Sequence, residues 1–153
     1  MNTREYAIKE FEEAYAVSQA VQKPFGEAVL EVMKLKGLEG PSAFSKHTGL
    51  NRDIYYTMQK PDKNIELNMI ISICIGFQLD TVSTNLLLHS AGFGFNMSNR
   101  IHRAYLYLIE YYKGHDISEC NKILEYLDVP PFKRLGSSER GPYKPREKRI
   151  SKK

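Results

Sequence analysis

The sequence predicts an all-α protein, on three observations. Apolar residues recur at spacings of three and four from Thr3 to Leu127. Residues that start and stop helices punctuate this pattern at short intervals. The one stretch whose β-branched residues argue for a strand, residues 66–77, has the length and the helical neighbours of a helix.

Taken in order, residues 3–22 put Ala7, Phe11, Ala14, Tyr15, Ser18 and Val21 on one face. Glu5, Glu10, Glu12 and Glu13 crowd the first half of this helix, where its dipole favours negative charge. Packing back on the body and pairing with a second copy are both open to it. Lys23-Pro24 interrupts, since proline fits a first turn but not a helix interior. The next helix runs from Pro24 to Lys36, with Phe25, Ala28, Val29, Val32 and Met33 inward and Gly37 placed to end it. Two short helices follow, at 42–48 and 52–60, around Thr48-Gly49-Leu50-Asn51. Residues 66–77 are apolar nearly all round, which predicts burial on most sides.

Asp80 can cap a helix that ends near Ala91-Gly92. After the loop Gly92-Phe93-Gly94-Phe95-Asn96, Ser98 or Asn99 starts a helix with the stripe Ile101, Tyr105, Leu108, Ile109 and Tyr112, closed by Gly114. Tyr107 and Tyr111 fall on another face and could cap a partner surface. Asp116 and Glu119 form a capping box for the last helix, which turns Ile117, Cys120, Ile123, Leu124 and Leu127 inward and stops at Val129-Pro130-Pro131.

Charge is unevenly distributed. The net +4 combines a tail, residues 133–153, holding nine Lys or Arg and two Glu, with a body of net −3. Within the body, residues 34–63 carry six basic side chains against three acidic ones. A mildly acidic body with a basic window and a basic tail points to a polyanion at one or both. The tail, rich in Gly, Ser, Pro, Lys and Arg, has the composition of a segment unfolded by itself, and Tyr143 within it could stack on a base.

The informative stretch is residues 41–60, Pro-Ser-Ala-Phe-Ser-Lys-His-Thr-Gly-Leu-Asn-Arg-Asp-Ile-Tyr-Tyr-Thr-Met-Gln-Lys. Two helices crossing at a tight turn need a small residue at the crossing (Ser45), a glycine in the turn (Gly49), and apolar locks (Phe44, Leu50, Tyr55, Met58). Asn51 is placed to cap the second helix, leaving Asn51, Arg52, Asp53, Tyr56, Thr57 and Lys60 outward.

With these residues in this order, residues 24–92 resemble the Cro/lambda-repressor-like (xenobiotic-response-element-type) helix-turn-helix family. The resemblance implies an all-α, five-helix lambda-repressor-like DNA-binding domain, here with an extra N-terminal helix and a C-terminal helix pair. Its third helix would enter the major groove of double-stranded DNA, commonly as a homodimer. Carried over by position, Arg52, Asp53, Tyr56 and Thr57 would face base edges, while Asn51 and Lys60 would lie near phosphate. The chain has Pro41 and Ser45 where the family usually has Gln and Ala, and Asp53 could only accept from a cytosine amino group. Residues 98–132 look like an extension found behind such domains in bacterial mobile-element proteins.

The division expected is an N-terminal helix (1–22), a helix-turn-helix domain (23–92), a helical extension (93–132) and a basic tail (133–153). Lys34, Lys36, Lys46, Lys60 and Lys63 would hold phosphate from the body. Lys133, Arg134, Arg140, Lys144, Arg146, Lys148 and Arg149 would do so from the tail, or would touch RNA. An enzyme is not expected. His47, His89, His102 and His115 share no metal spacing, Gly92-Phe93-Gly94 lacks a dinucleotide fingerprint, and no cofactor is implied. Cys74 and Cys120 read as reduced core residues of a cytoplasmic, nucleoid-associated protein. The start of the chain lacks a signal-peptide core, and Met69–Ile75 is far short of a membrane span. The expected function is sequence-specific DNA binding by a transcriptional or mobile-element regulator. The alternative is a non-enzymatic accessory or inhibitor subunit of a nucleoprotein complex, using the same fold for protein contacts and the tail for RNA or DNA.

Overall fold

The computed structural model describes residues 2–61 and 65–136. Among these residues the chain is all-helical, with eight α-helices and no strand. α1 (Thr3–Ala20) begins at a capping box in which Asn2 accepts from the Glu5 amide and Glu5 reaches back. Its buried side differs from the stripe expected. Ala20 and Val21 are buried and Ala14 and Val17 half-buried against the body, whereas Phe11 and Tyr15 are 63% and 51% exposed. Spacing defines a stripe, but contact with the neighbouring helices decides which side is covered.

α2 (Phe25–Leu35) starts after Pro24, buries Ala28, Val29, Val32 and Met33, and ends at Gly37, whose φ of 74° suits glycine. α3 (Gly40–Thr48) and α4 (Arg52–Thr57) flank Gly49, which is left-handed at φ 75°. α5 (Leu67–Gly76) is buried from Asn68 to Ile75 and forms the centre of the core. α6 (Thr81–Ser90) is capped by Asp80, α7 (Arg100–Tyr111) by Asn99, and α8 (Ile117–Tyr126) by the Asp116–Glu119 capping box. α8 closes where Asp128 takes φ 64° and the Val129 amide returns to the Leu124 carbonyl, one turn before the prolines expected to stop it.

Two glycines fix how the α3–α4 pair sits. A Cβ on Gly26 of α2 would lie 2.5 Å from the Met58 carbonyl oxygen, just past α4. A Cβ on Gly76, the last residue of α5, would lie 2.3 Å from the His47 carbonyl oxygen, at the end of α3. The pair is thus gripped backbone to backbone at the C-terminal end of each helix, beside the turn and just past α4, as close as glycine permits.

Residues 133–136, expected to belong to a free tail, are packed. After the short 3₁₀ turn Pro131–Lys133, Leu135 is fully buried. Asn121 of α8 accepts from the Leu135 amide at 2.8 Å and donates to its carbonyl at 3.0 Å. The Gly136 amide donates to Ser72 Oγ at 2.8 Å, and Asn68 Nδ2 donates to the Arg134 carbonyl at 2.9 Å. Residues 133–136 therefore belong to the packed body, which extends at least to Gly136. The tail-like composition begins at Lys133, but a single leucine with amide partners outweighs it there.

Cys74 and Cys120 are both fully buried free thiols. Burial pushes their pKa values up to about 12 and about 11. The Tyr105 hydroxyl is raised likewise, chiefly by burial. A raised folded pKa means that the unfolded chain ionises first. Stability is therefore full below pH 9.0, the ordinary thiol value, and falls as pH climbs towards 12. Urea unfolding at increasing pH above that value should show a loss of up to ~1.4 kcal/mol per pH unit for each such group. A flat profile would contradict the burial of these groups.

Candidate nucleic-acid interface

The α3–α4 turn is built by side chains as well as by Gly49. Thr48 Oγ1 donates to the Phe44 carbonyl at 2.8 Å and accepts from the Leu50 amide at 3.2 Å. Ser45 Oγ donates to the Leu50 carbonyl at 2.6 Å. Ser45 is thus a polar bracket across the turn, beyond being a small residue at a crossing; an alanine there would leave that carbonyl without this bond. Phe44, Leu50 and Met58 are buried behind α4, and the half-buried Tyr55 ring meets Phe44 edge-on at 5.6 Å. These contacts hold α4 from its inner side.

Its other side is open. Asn51, Arg52 and Asp53 are exposed, Tyr56 is 55% exposed, and Thr57 lies half-buried at the edge of the same face. The Tyr55 and Tyr56 rings meet at 5.2 Å, nearly perpendicular, which steadies Tyr56 from beneath. Asn51 occupies the N-cap position but its side chain makes no capping hydrogen bond, contrary to the role expected of it. α4 is also shorter than the 52–60 expected. Its i→i+3 hydrogen bonds from Gln59 and Lys60 tighten the chain after Thr57, and Pro61 disfavours helix at Lys60. Lys60 is exposed just beyond the end of α4.

The phosphate candidates separate into groups. Lys46 is exposed at the C-terminal turn of α3 and lines a groove with His47, His115, Ser118 and Asn121, so the α7–α8 connection borders the turn. Sequence reading did not connect that connection with the motif, because no periodic signal joins segments seventy residues apart. Lys34 is exposed near the end of α2. Lys36 instead sits in a groove with Glu13, Asp80 and Lys113, and none of the residues lining that groove belongs to α4. Burial, with the Lys113 charge second, lowers its pKa.

Lys133 and Arg134 are not part of a free arm. Lys133 Nζ lies 5.8 Å over the Phe132 ring, in a groove with Glu66, Asn99 and His102. Arg134 Nε donates to the Val129 carbonyl at 2.9 Å and is half-buried. Lys63, Arg140, Lys144, Arg146, Lys148 and Arg149, with Tyr143, lie outside the described residues. Elsewhere, Tyr105 is buried as expected, while Tyr107 and Tyr111 are exposed with rings 5.2 Å apart.

Among the described residues, no cluster of His, Cys, Asp or Glu could hold a metal ion. Nor, among them, is any helix long and apolar enough to cross a membrane. No family model matches the chain, and neither a curated protein nor a solved structure matches it.

Proposed function

We propose that this chain binds double-stranded DNA with sequence preference, as a cytoplasmic, nucleoid-associated regulator of transcription or of a mobile element. In this reading α2 to α6 form a Cro/lambda-repressor-like unit, and α4 enters the major groove. One observation carries it: α4 is locked from behind by Phe44, Leu50 and Met58, while Arg52, Asp53 and Tyr56 stand exposed on its outer face. A helix about 10–12 Å across fits a major groove of about 12 Å.

Each outer side chain has a chemistry suited to base edges. Arg52 can donate in bidentate fashion to guanine O6 and N7, and Asp53 can accept from a cytosine amino group. Tyr56 offers its ring to a thymine methyl, and Thr57 offers a hydroxyl at the edge of the face. Asn51 and Lys60, exposed at the two ends of α4, would hold phosphate, as would Lys46 at the last turn of α3 and the basic residues beyond Gly136. Selection of bound fragments from random duplex DNA at physiological salt should return one preferred site. On that site Arg52→Ala should cost about 1–3 kcal/mol and relax one base position. An equal loss on every duplex would make Arg52 a phosphate contact instead.

The second reading is an accessory or inhibitor subunit that uses this face for protein. Asp53 and the half-exposed Tyr56 ring favour it, since a carboxylate repels phosphate and tyrosine suits a protein interface. Selection that returns no preferred duplex, together with co-purification of one fixed protein partner, would choose this reading.

A further inference from the structure

α1 packs on α2 and α6 along one side, where Ala14, Val17, Ala20 and Val21 meet the body. Its opposite side carries Arg4, Ile8, Phe11, Tyr15 and Ser18, with Gln22 just past its end, at alternating spacings of four and three. That alternation keeps a seam in line along a helix, and it is the spacing of the a and d positions through which two helices pair. Ile8 is 48% exposed, and Phe11 and Tyr15 more so. The Phe11 and Tyr15 rings lie nearly parallel with centroids 5.9 Å apart, so they form one apolar ledge in solvent. The seam ends in polar groups that bond to α1 itself: Ser18 donates to the Tyr15 carbonyl, and Gln22 to the Ser18 carbonyl.

Charge indicates what covers the ledge. Arg4 stands at one end of it and Glu12 on its flank, and neither joins an ion pair among the described residues. Eight residues separate them, about 12 Å along the helix, so they do not meet within one chain. A second copy laid antiparallel brings them together, because a positions then face d positions. Ile8 meets Phe11 of the second copy, and Tyr15 meets its Arg4, whose guanidinium also reaches Glu12 of the first. Arg4 thus covers an aromatic ring and pairs with a carboxylate at once. A parallel pair would set Arg4 against Arg4 and leave both Glu12 side chains without a cation, which like-charge repulsion disfavours.

We propose that the outer face of α1 is a dimerisation surface, on which two copies of this chain pair with their α1 helices antiparallel. The same patch serves both copies, as two-fold symmetry requires. This goes beyond the reading of α4 and holds whether that helix meets duplex or protein. Two helices of 18 residues, each about 27 Å long, cover less than a standard interface. The dimer is therefore weak and forms as concentration rises.

Sedimentation equilibrium of the full chain between about 10 µM and 1 mM tests this. The average mass is expected to climb from 17.6 kDa towards twice that value. A constant 17.6 kDa across the range would overturn the proposal and leave the ledge to a different protein. Ile8→Glu with Phe11→Glu alters exposed positions alone, so the thermal midpoint in dilute solution should hold while the dimer is lost. A dimer that persists in this folded variant would put the interface elsewhere and overturn the proposal. Charge exchange tests the orientation. Arg4→Glu and Glu12→Arg are each expected to weaken self-association roughly tenfold. Mixed one to one, these two variants should pair with each other as tightly as the unaltered chain pairs with itself, since both contacts return between unlike copies. A mixture as weak as either variant alone would overturn the antiparallel pairing of Arg4 with Glu12.

Discussion

Gly76→Ala is expected to lower the thermal midpoint by roughly 4–8 °C. The new Cβ would lie 2.3 Å from the His47 carbonyl oxygen and 2.8 Å from its carbon. Both are backbone atoms at the end of α3, so no rotamer change relieves the clash, and α5 or α3 must shift. Overpacking of this kind costs about 1–3 kcal/mol and sometimes more. The gain in helix propensity from glycine to alanine offsets at most about 1 kcal/mol. With the clash at the upper end of that range, the net loss expected is about 2 kcal/mol, read by calorimetry or chemical unfolding. Gly94→Ala is the control, because nothing lies within 4 Å of its Cβ position, and it should change stability by less than about 0.5 kcal/mol. Equal midpoints for the two variants would mean that α5 and α3 do not touch as described.

Ending the chain at Gly136 is expected to weaken duplex binding by about a hundredfold near physiological salt, with base preference unchanged. The truncation removes seven Lys or Arg but leaves Leu135 and Gly136 to close the core. Each phosphate neutralised contributes about 0.9 to the slope of log K against log salt. Engagement of four to seven of these residues should therefore lower the slope by about 4–6. Anisotropy titrations of both chains across a salt series measure this directly. Parallel slopes would show that the residues after Gly136 do not touch the nucleic acid. A changed base preference would show that they read sequence rather than hold backbone.

The two substitutions and the truncation address different parts of the molecule, and so separate fold from function. Gly76→Ala acts on the seat of the α3–α4 pair, Arg52→Ala on its outer face, and the truncation on the electrostatic contribution. A protein-binding role for α4 would leave the first result standing and remove the second.

Much of this fold was legible in the chain because helix signals are local. Asp80, Asn99 and the Asp116–Glu119 box cap the helices they were expected to cap, since a capping hydrogen bond spans only two or three residues. The burial of α5 follows from being apolar nearly all round, and the turn at Gly49 from the small set of residues that tolerate a positive φ. The outer face of α4 was legible for the same reason, because the apolar locks leave only one side free.

What lies between distant segments was decided by tertiary contact alone. Spacing cannot say that Phe11 and Tyr15 stay in solvent, that Lys36 faces α1 and α6, or that Gly26 and Gly76 grip the α3–α4 pair. Nor can composition say that Leu135 is core, when the residues around it read as tail. The physical reason is common to all four. A side chain's pattern within its own helix limits which surfaces it can offer, but burial depends on which other surface arrives, and that is set by packing across the whole chain.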